Sequence, residues 1–232
     1  MKYAYDLHVH SILSPDADVL MTPNNIFNMA MLKKIDILAI TDHNSMAQLP
    51  ICAEIAQSYD ILFVPGVELS LADQFHVLVY FKTLHDAQLF DQILNRYRSM
   101  KLIDIKNDMV QGITDIYDNI QSQFPYDLSE DLSLSLYELK KHLCAFHHLL
   151  VFAHIDRKKS SGLSCLPDPD VDALELRPDH LSLIEHHQLK TYPIFHNSDA
   201  HEITMINERT EHNMIELNGL SIQSFFEVIK HG

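Results

Sequence analysis

The sequence predicts one α/β domain whose strands pair in parallel, as a small or incomplete barrel rather than a sandwich. Three observations point that way. Short apolar runs alternate with helical stretches, the order that parallel pairing requires. The 232 residues, 47% of them hydrophobic, suffice for one sizeable core without a second domain. Charged residues make up 21% and are dispersed, with no repeat or low-complexity segment, so disorder is excluded as the dominant state.

The elements follow in order. Residues 3–9 read as the first strand. Thr22 can then cap a helix that Pro23 opens and that Ile26, Met29 and Ala30 continue. A second strand covers 35–40 and a second helix 45–59, and further strands are expected at 61–67, 76–81, 149–153, 173–176 and 193–196. Between about 84 and 148 no strand-like run appears, while Phe90, Ile93, Leu94, Tyr97 and Met100 to Leu102 recur at helical spacing. That segment reads as a helical insertion with a loop at 123–130 around Pro125.

Composition removes several functions. Five glycines, at 66, 112, 162, 219 and 232, cannot supply G-x-G-x-x-G or G-x-x-x-x-G-K, so neither the dinucleotide fingerprint nor the P-loop is present. Cys52, Cys144 and Cys165 are odd in number and far apart, which indicates neither a disulfide framework nor a cysteine zinc cluster. No apolar stretch is long enough to span a membrane, and Asp6, His8 and His10 lie where a secretory leader would need an apolar core. A reducing cytoplasm is the expected location, with no membrane partner. The net charge of −15 argues against long nucleic acid as a partner.

The sixteen histidines matter because of where they fall. In parallel α/β architectures ligands bind at the carboxyl ends of the strands. Strand one ends in Asp6-Leu7-His8-Val9-His10, where period two points both imidazoles to one side. Strand two ends in Thr41-Asp42-His43-Asn44 and strand three in Pro65-Gly66-Val67-Glu68, while the fourth opens with His76. The fifth closes on Ala153-His154-Ile155-Asp156-Arg157, and the seventh runs into Asn197-Ser198-Asp199-Ala200-His201. Any one of these could be a helix cap or a hydrogen-bonded core residue. Gathered at one mouth without cations, they would suffer desolvation and charge repulsion, which divalent ions remove.

D-L-H-V-H-S, A-I-T-D-H-N-S, P-G-V-E, F-H-V-L, F-A-H and S-D-A-H, in this order, resemble the motif series of the polymerase and histidinol phosphatase (PHP) superfamily. The resemblance spans residue 3 to about 201 and implies a distorted (β/α)7 barrel formed by residues 1–232 as a single domain, with a trinuclear metal cluster at its mouth. It implies one ion on His8, His10, Glu68 and Asp199, and a second sharing Glu68 and adding His76 and His154. A third would use His43, His201 and a carboxylate of the 14–18 loop, Asp16 with Asp18 as substitute. Asp42 is expected to orient its neighbours. Six imidazoles and three carboxylates without thiolate favour Mn, Fe or Zn over Ca or Mg.

The activity implied is that of a metal-dependent phosphoesterase, with a hydroxide bridging two metals as nucleophile. Its substrates would be small phosphate esters: a phosphorylated metabolite, a nucleotide or a short oligonucleotide. A nuclease acting on nucleic-acid ends, a histidinol phosphatase and, less favoured, a non-catalytic scaffold are the alternatives. Asp199 would also relay a proton. Arg157, in Arg157-Lys158-Lys159, reads either as a fork onto substrate phosphate or as part of a solvated basic loop, and Arg177 carries the same two readings. The other ten histidines receive no role.

Overall fold

The computed structural model of the chain describes residues 1–103 and 110–231. Strand β1 (Lys2–Val9) pairs in parallel with β2 (Ile37–Ile40), and β2 with the two-residue β3 (Leu62–Phe63). The second sheet runs in the order β10 (Ile194–Phe195), β9 (Ala173–Glu175), β8 (His148–Phe152), β5 (His76–Phe81), β4 (Gly66–Ser70). Two isolated parallel bridges, His43 to Glu68 and Val9 to Ala200, join the sheets at their edges. The result is a mixed α/β fold of two sheets meeting at two seams, with no continuous closed barrel among the described residues.

The all-parallel expectation is corrected at β5, which runs antiparallel to both β4 and β8. Only residues 71–75 connect β4 to β5, and a parallel return needs a crossover of roughly a dozen residues or more, so the pair must be a hairpin. The reversal brings the start of β5 to the mouth where the neighbouring strands end. His76 there pairs with Ser70 at the end of β4.

The insertion is not wholly helical. Helix α3 (Leu84–Leu94) starts at Thr83, whose side chain accepts from Asp86 N, and α4 (Leu136–Leu143) starts at Ser135 with a capping box to Glu138. Between them lies an antiparallel hairpin, β6 (Gly112–Thr114) and β7 (Ile120–Gln123). Asp115 turns this chain by accepting from the backbone of Tyr117 and Asn119, and β-branched Ile113, Thr114 and Ile120 favour the extended arms. The helical expectation for residues 104–109 lies outside the described residues. The second helix, α2 (Leu49–Ala56), is shorter than the expected 45–59 because Ser45 to Gln48 form the loop that leaves β2. Two elements beyond the expected strands, β11 (Met214–Glu216) on the free edge of β1 and α6 (Ile222–His231), complete the described fold.

Period two divides the core. Leu78, Tyr80, Leu149 and Val151 face the space between the sheets, with Tyr5, Leu7 and Ile37. Phe225, Phe226 and Ile229 of α6 close this interior at the end away from the mouth. Val77, Val79, Phe81, Leu150 and Phe152 point outward onto Phe90 of α3 and Leu139 and Leu143 of α4, while α1 (Pro23–Leu32) and α2 cover β1 and β2.

Gly66 lies at the seam where β2 and β4 approach. A Cβ there would stand 2.8 Å from Tyr80 Cδ1 and 2.9 Å from Thr41 Cγ2. Tyr80 cannot readily yield, since its hydroxyl donates to Leu7 O at 2.8 Å. Gly66→Ala is therefore expected to cost about 1–3 kcal/mol by overpacking, read as a lower urea midpoint with unchanged slope. A wild-type midpoint would show that the seam has room.

Candidate metal centre

The mouth is organised around Glu68, whose side chain is 1% exposed. Its Oε2 lies 3.3 Å from Nε2 of His8, 3.3 Å from Nε2 of His10 and 3.1 Å from Nδ1 of His43. Its Oε1 lies 3.0 Å from Nδ1 of His76 and 3.2 Å from Nε2 of His154. Asp199 Oδ1 completes one group at 3.2 Å from Nε2 of both His8 and His10. On the outer side Asp16 spans His43 Nε2 at 3.4 Å and His201 Nε2 at 3.2 Å. All nine expected residues thus converge, and Asp16 rather than Asp18 faces the rings. Asp18 Oδ1 accepts from Leu20 N within its own turn.

The surrounding hydrogen bonds decide which ring nitrogens face inward. His8 Nδ1 lies 2.9 Å from Glu175 Oε2, so the proton sits on Nδ1 and the lone pair on Nε2. Glu175 is itself held by Asn197 Nδ2 at 2.8 Å and the backbone N of His154 at 3.1 Å. Ser14 Oγ donates to Asp42 Oδ1 at 2.8 Å and therefore accepts from His10 Nδ1 at 2.9 Å, which turns Nε2 of His10 inward as well. Asp42 also takes the backbone N and the hydroxyl of Ser11. His201 Nδ1 donates to Asp199 O at 3.0 Å. Glu175 and Ser14 were missed in the sequence. Glu175 had a signal, an acid at the end of the sixth strand, whereas Ser14 had none.

The Nε2 lone pairs of His8, His10 and His201 therefore aim at carboxylate oxygens, an acceptor-to-acceptor arrangement that is repulsive until a proton or a cation lies between. Seven buried side-chain polar atoms lack a hydrogen-bond partner among the described residues, and six are here: Nε2 of His8, His10 and His201, Nδ1 of His154, Oε2 of Glu68 and Oδ1 of Asp199. The residues fall into three groups compact enough for an ion: His8, His10, Glu68 and Asp199; Glu68, His76 and His154; His10, His43 and His201. Six nitrogens and three carboxylates suit borderline divalent cations. The backbone is bent to build the site, with positive φ at Asn44, His154 and Asp199.

Arg157 and Arg177 line a pocket of about 390 Å³ beside the cluster, together with His154, Asp199 and His180. Arg157 is half exposed and pairs with Asp199 Oδ2. Arg177 donates from Nε to the buried Asp156 at 2.9 Å.

Without ions, protons take their place. Burial opposes charge on His43, yet Glu68 and Asp16 outweigh it and push its pKa up to about 10. His8 is likewise raised against its burial by Asp199, Glu175 and Glu68, and His201 by Asp16. Stability from such raised groups is complete below their ordinary pKa near 6.5 and is lost as pH climbs toward the folded value. Burial would raise Asp16, Asp199 and Glu68, but the histidines hold all three low, so their contribution is lost only in strong acid. In chelator, thermal melts should fall steadily from about pH 6.5 to about pH 10. A flat or rising profile would show that these rings hold no extra protons.

Comparison with known proteins fits this geometry. The family model described as PHP domain matches residues 6–168. The 5'-3' exoribonuclease Rnm of Salmonella typhimurium is 39% identical over 74 residues, 31% of this chain and 24% of that protein. The lesion-specific endonuclease PfuEndoQ of Pyrococcus furiosus superposes with a TM-score of 0.70 at 20% identity, over 99% of this chain and 56% of that one. A candidate metal-dependent phosphoesterase of Bifidobacterium adolescentis gives 0.61 at 15%, over 98% and 96%. The chain thus spans about a quarter of the curated relative and little more than half of the endonuclease, and the structural likenesses speak for the fold alone. The Ser198 to His201 motif lies past the matched segment but closes on the same cluster. Matched over more than half its length, the chain belongs to the PHP domain family.

Proposed function

We propose that the chain is a metal-dependent phosphoesterase that hydrolyses small phosphate esters, nucleotides or short oligonucleotides. The partnerless buried atoms that His8, His10, His154, His201, Glu68 and Asp199 bring to one mouth carry this reading. His8, His10, Glu68 and Asp199 would hold one ion, Glu68, His76 and His154 a second, and Asp16, His43 and His201 a third, drawn from Mn, Fe or Zn. Bound there, divalent ions supply a water acidified toward neutral pH and neutralise charge on phosphate oxygens.

The chain's own residues do the rest. Glu68 directs one oxygen to each of two ligand groups and so sets their separation. Glu175 and Ser14 keep Nε2 of His8 and His10 unprotonated and inward. Arg157, exposed at the pocket edge, is placed to exchange its contact with Asp199 for a phosphate oxygen pair, which frees Asp199 Oδ2 to accept a proton. Arg177 would meet the substrate farther along the pocket. A nuclease acting on nucleic-acid ends is the second reading, favoured by the match to an exoribonuclease. The charge of −15 disfavours long duplexes. Elemental analysis followed by a screen of phosphate mono- and diesters tests the reading, and protein that neither holds nor takes up transition metal would refute it.

Glu68→Gln keeps the side-chain volume but removes the charge shared by two groups. It should weaken both ions at once and lower activity by several orders of magnitude while the circular dichroism stays native. A metallated, active Glu68→Gln protein would show that Glu68 is no ligand. Glu175→Gln leaves the ligands untouched but loosens the tautomer of His8, so metal affinity should fall about 10–100-fold in a direct titration. Unchanged affinity would remove Glu175 from this role.

A further inference from the structure

None of the nine clustered residues comes from the insertion, yet it holds an arginine with a side chain only 4% exposed. Arg98 follows α3 and donates from Nε to Asn44 O at 2.7 Å and from Nη1 to Asn95 Oδ1 at 2.5 Å. Its Nη2 pairs with Asp91 of α3, and its guanidinium lies 5.4 Å from the centre of the Phe124 ring. Asp91 also accepts from Met46 N at 2.8 Å. Arg98 and Asp91 therefore grip the turn 44–46 from one side.

From the other side the insertion grips Asn44 itself. Its Nδ2 donates to Leu128 O at 3.0 Å and Glu130 O at 3.1 Å. Its Oδ1 accepts from Ser70 N at 2.9 Å, and its own N donates to Glu68 O at 2.8 Å. These bonds hold Asn44 at φ 54°, a left-handed conformation that asparagine adopts more readily than most residues. The preceding residue is His43. Its ring reaches both Glu68 and Asp16 because the chain turns sharply straight after it.

The group of His8, His10, Glu68 and Asp199 is buried more deeply than the outer one. His8, His10 and Glu68 sit on or directly after strands and are 0–1% exposed. In the outer group the Asp16 side chain is 57% exposed and that of His201 23%, and both lie on loops. His43 is the buried member, and its orientation depends on the gripped turn.

We infer that Arg98 is a positioning residue for His43, and that through it the insertion sets the affinity of the outer ion alone. This rests on the ion assignment proposed above. Asp91 neutralises the guanidinium, so the effect comes from the forked geometry and not from its charge. A lysine, which keeps the charge but lacks the fork, should not substitute.

The test is Mn²⁺ titration of the chelator-treated 232-residue chain by calorimetry, reading the number of equivalents and the affinity of each. Arg98→Lys and Arg98→Met should weaken the weakest equivalent about 10–100-fold, the range found when partners of metal ligands are removed, and leave the tighter ones unchanged. Because a lone Asp91 carboxylate could unfold the chain, the double variant Asp91→Asn, Arg98→Met is titrated in parallel and should show the same selective loss. Wild-type affinities at every equivalent in the folded double variant would overturn the inference, as would a uniform loss at all of them, which is what a general scaffold role produces. Wild-type protein that takes up no Mn²⁺ would overturn the proposed function and the inference together, whereas graded uptake unaffected by the variants sinks the inference alone.

Discussion

A carboxylate almost fully removed from water, with five imidazole nitrogens within 3.0–3.3 Å of its two oxygens, is the constraint on which the rest of the molecule depends. Burying Glu68 alone would be prohibitive, and burying it among neutral rings whose lone pairs face it would be worse. The surroundings answer this with an outer layer of fixed donors and acceptors. Glu175, held by Asn197, and Ser14, held by Asp42 beside Ser11, satisfy the far nitrogens of His8 and His10 and leave their inward nitrogens unsatisfied. Such an arrangement is stable only with positive charge in the middle, whether protons or metal ions supply it.

Much of this was legible in the sequence because strand geometry is simple. Period two placed His8 and His10 on one side, and the rule that ligands gather at strand ends brought His43, Glu68, His154 and Asp199 to one mouth. His76 also obeyed the rule, but through an antiparallel strand that could have been inferred from the five residues joining it to β4. Asp16, expected ahead of Asp18 from the resemblance alone, lies in one loop with it, and only the path of that loop past His201 separates the two. Ser14 was illegible for a different reason: a serine has no signature until its hydroxyl is seen between an imidazole and a carboxylate. The insertion misled because helical spacing in its first part was extended over Gly112 to Gln123, where turn residues impose a hairpin.

The charge distribution separates two roles. An overall −15 makes the chain a poor surface for a long polyanion, while the pocket beside the cluster gathers Arg157, Lys158 and Arg177. Asp156, Glu175 and Asp199 line the same pocket of about 390 Å³, and two of them already hold an arginine each.

The two seams give the mouth a mechanical meaning. Each is a single backbone bridge, His43 to Glu68 on one side and Val9 to Ala200 on the other. His8 comes from one sheet and His76 and Glu68 from the other, and His10, His43, His154, Asp199 and His201 follow strand ends on both. A cation shared among them would act as a rivet through the rims of both sheets, adding ligand bonds to the two backbone hydrogen bonds that each seam makes there. Occupancy and the integrity of the ring are then one equilibrium: whatever strips the ions slackens the rim, and whatever tightens the rim raises the grip on the ions.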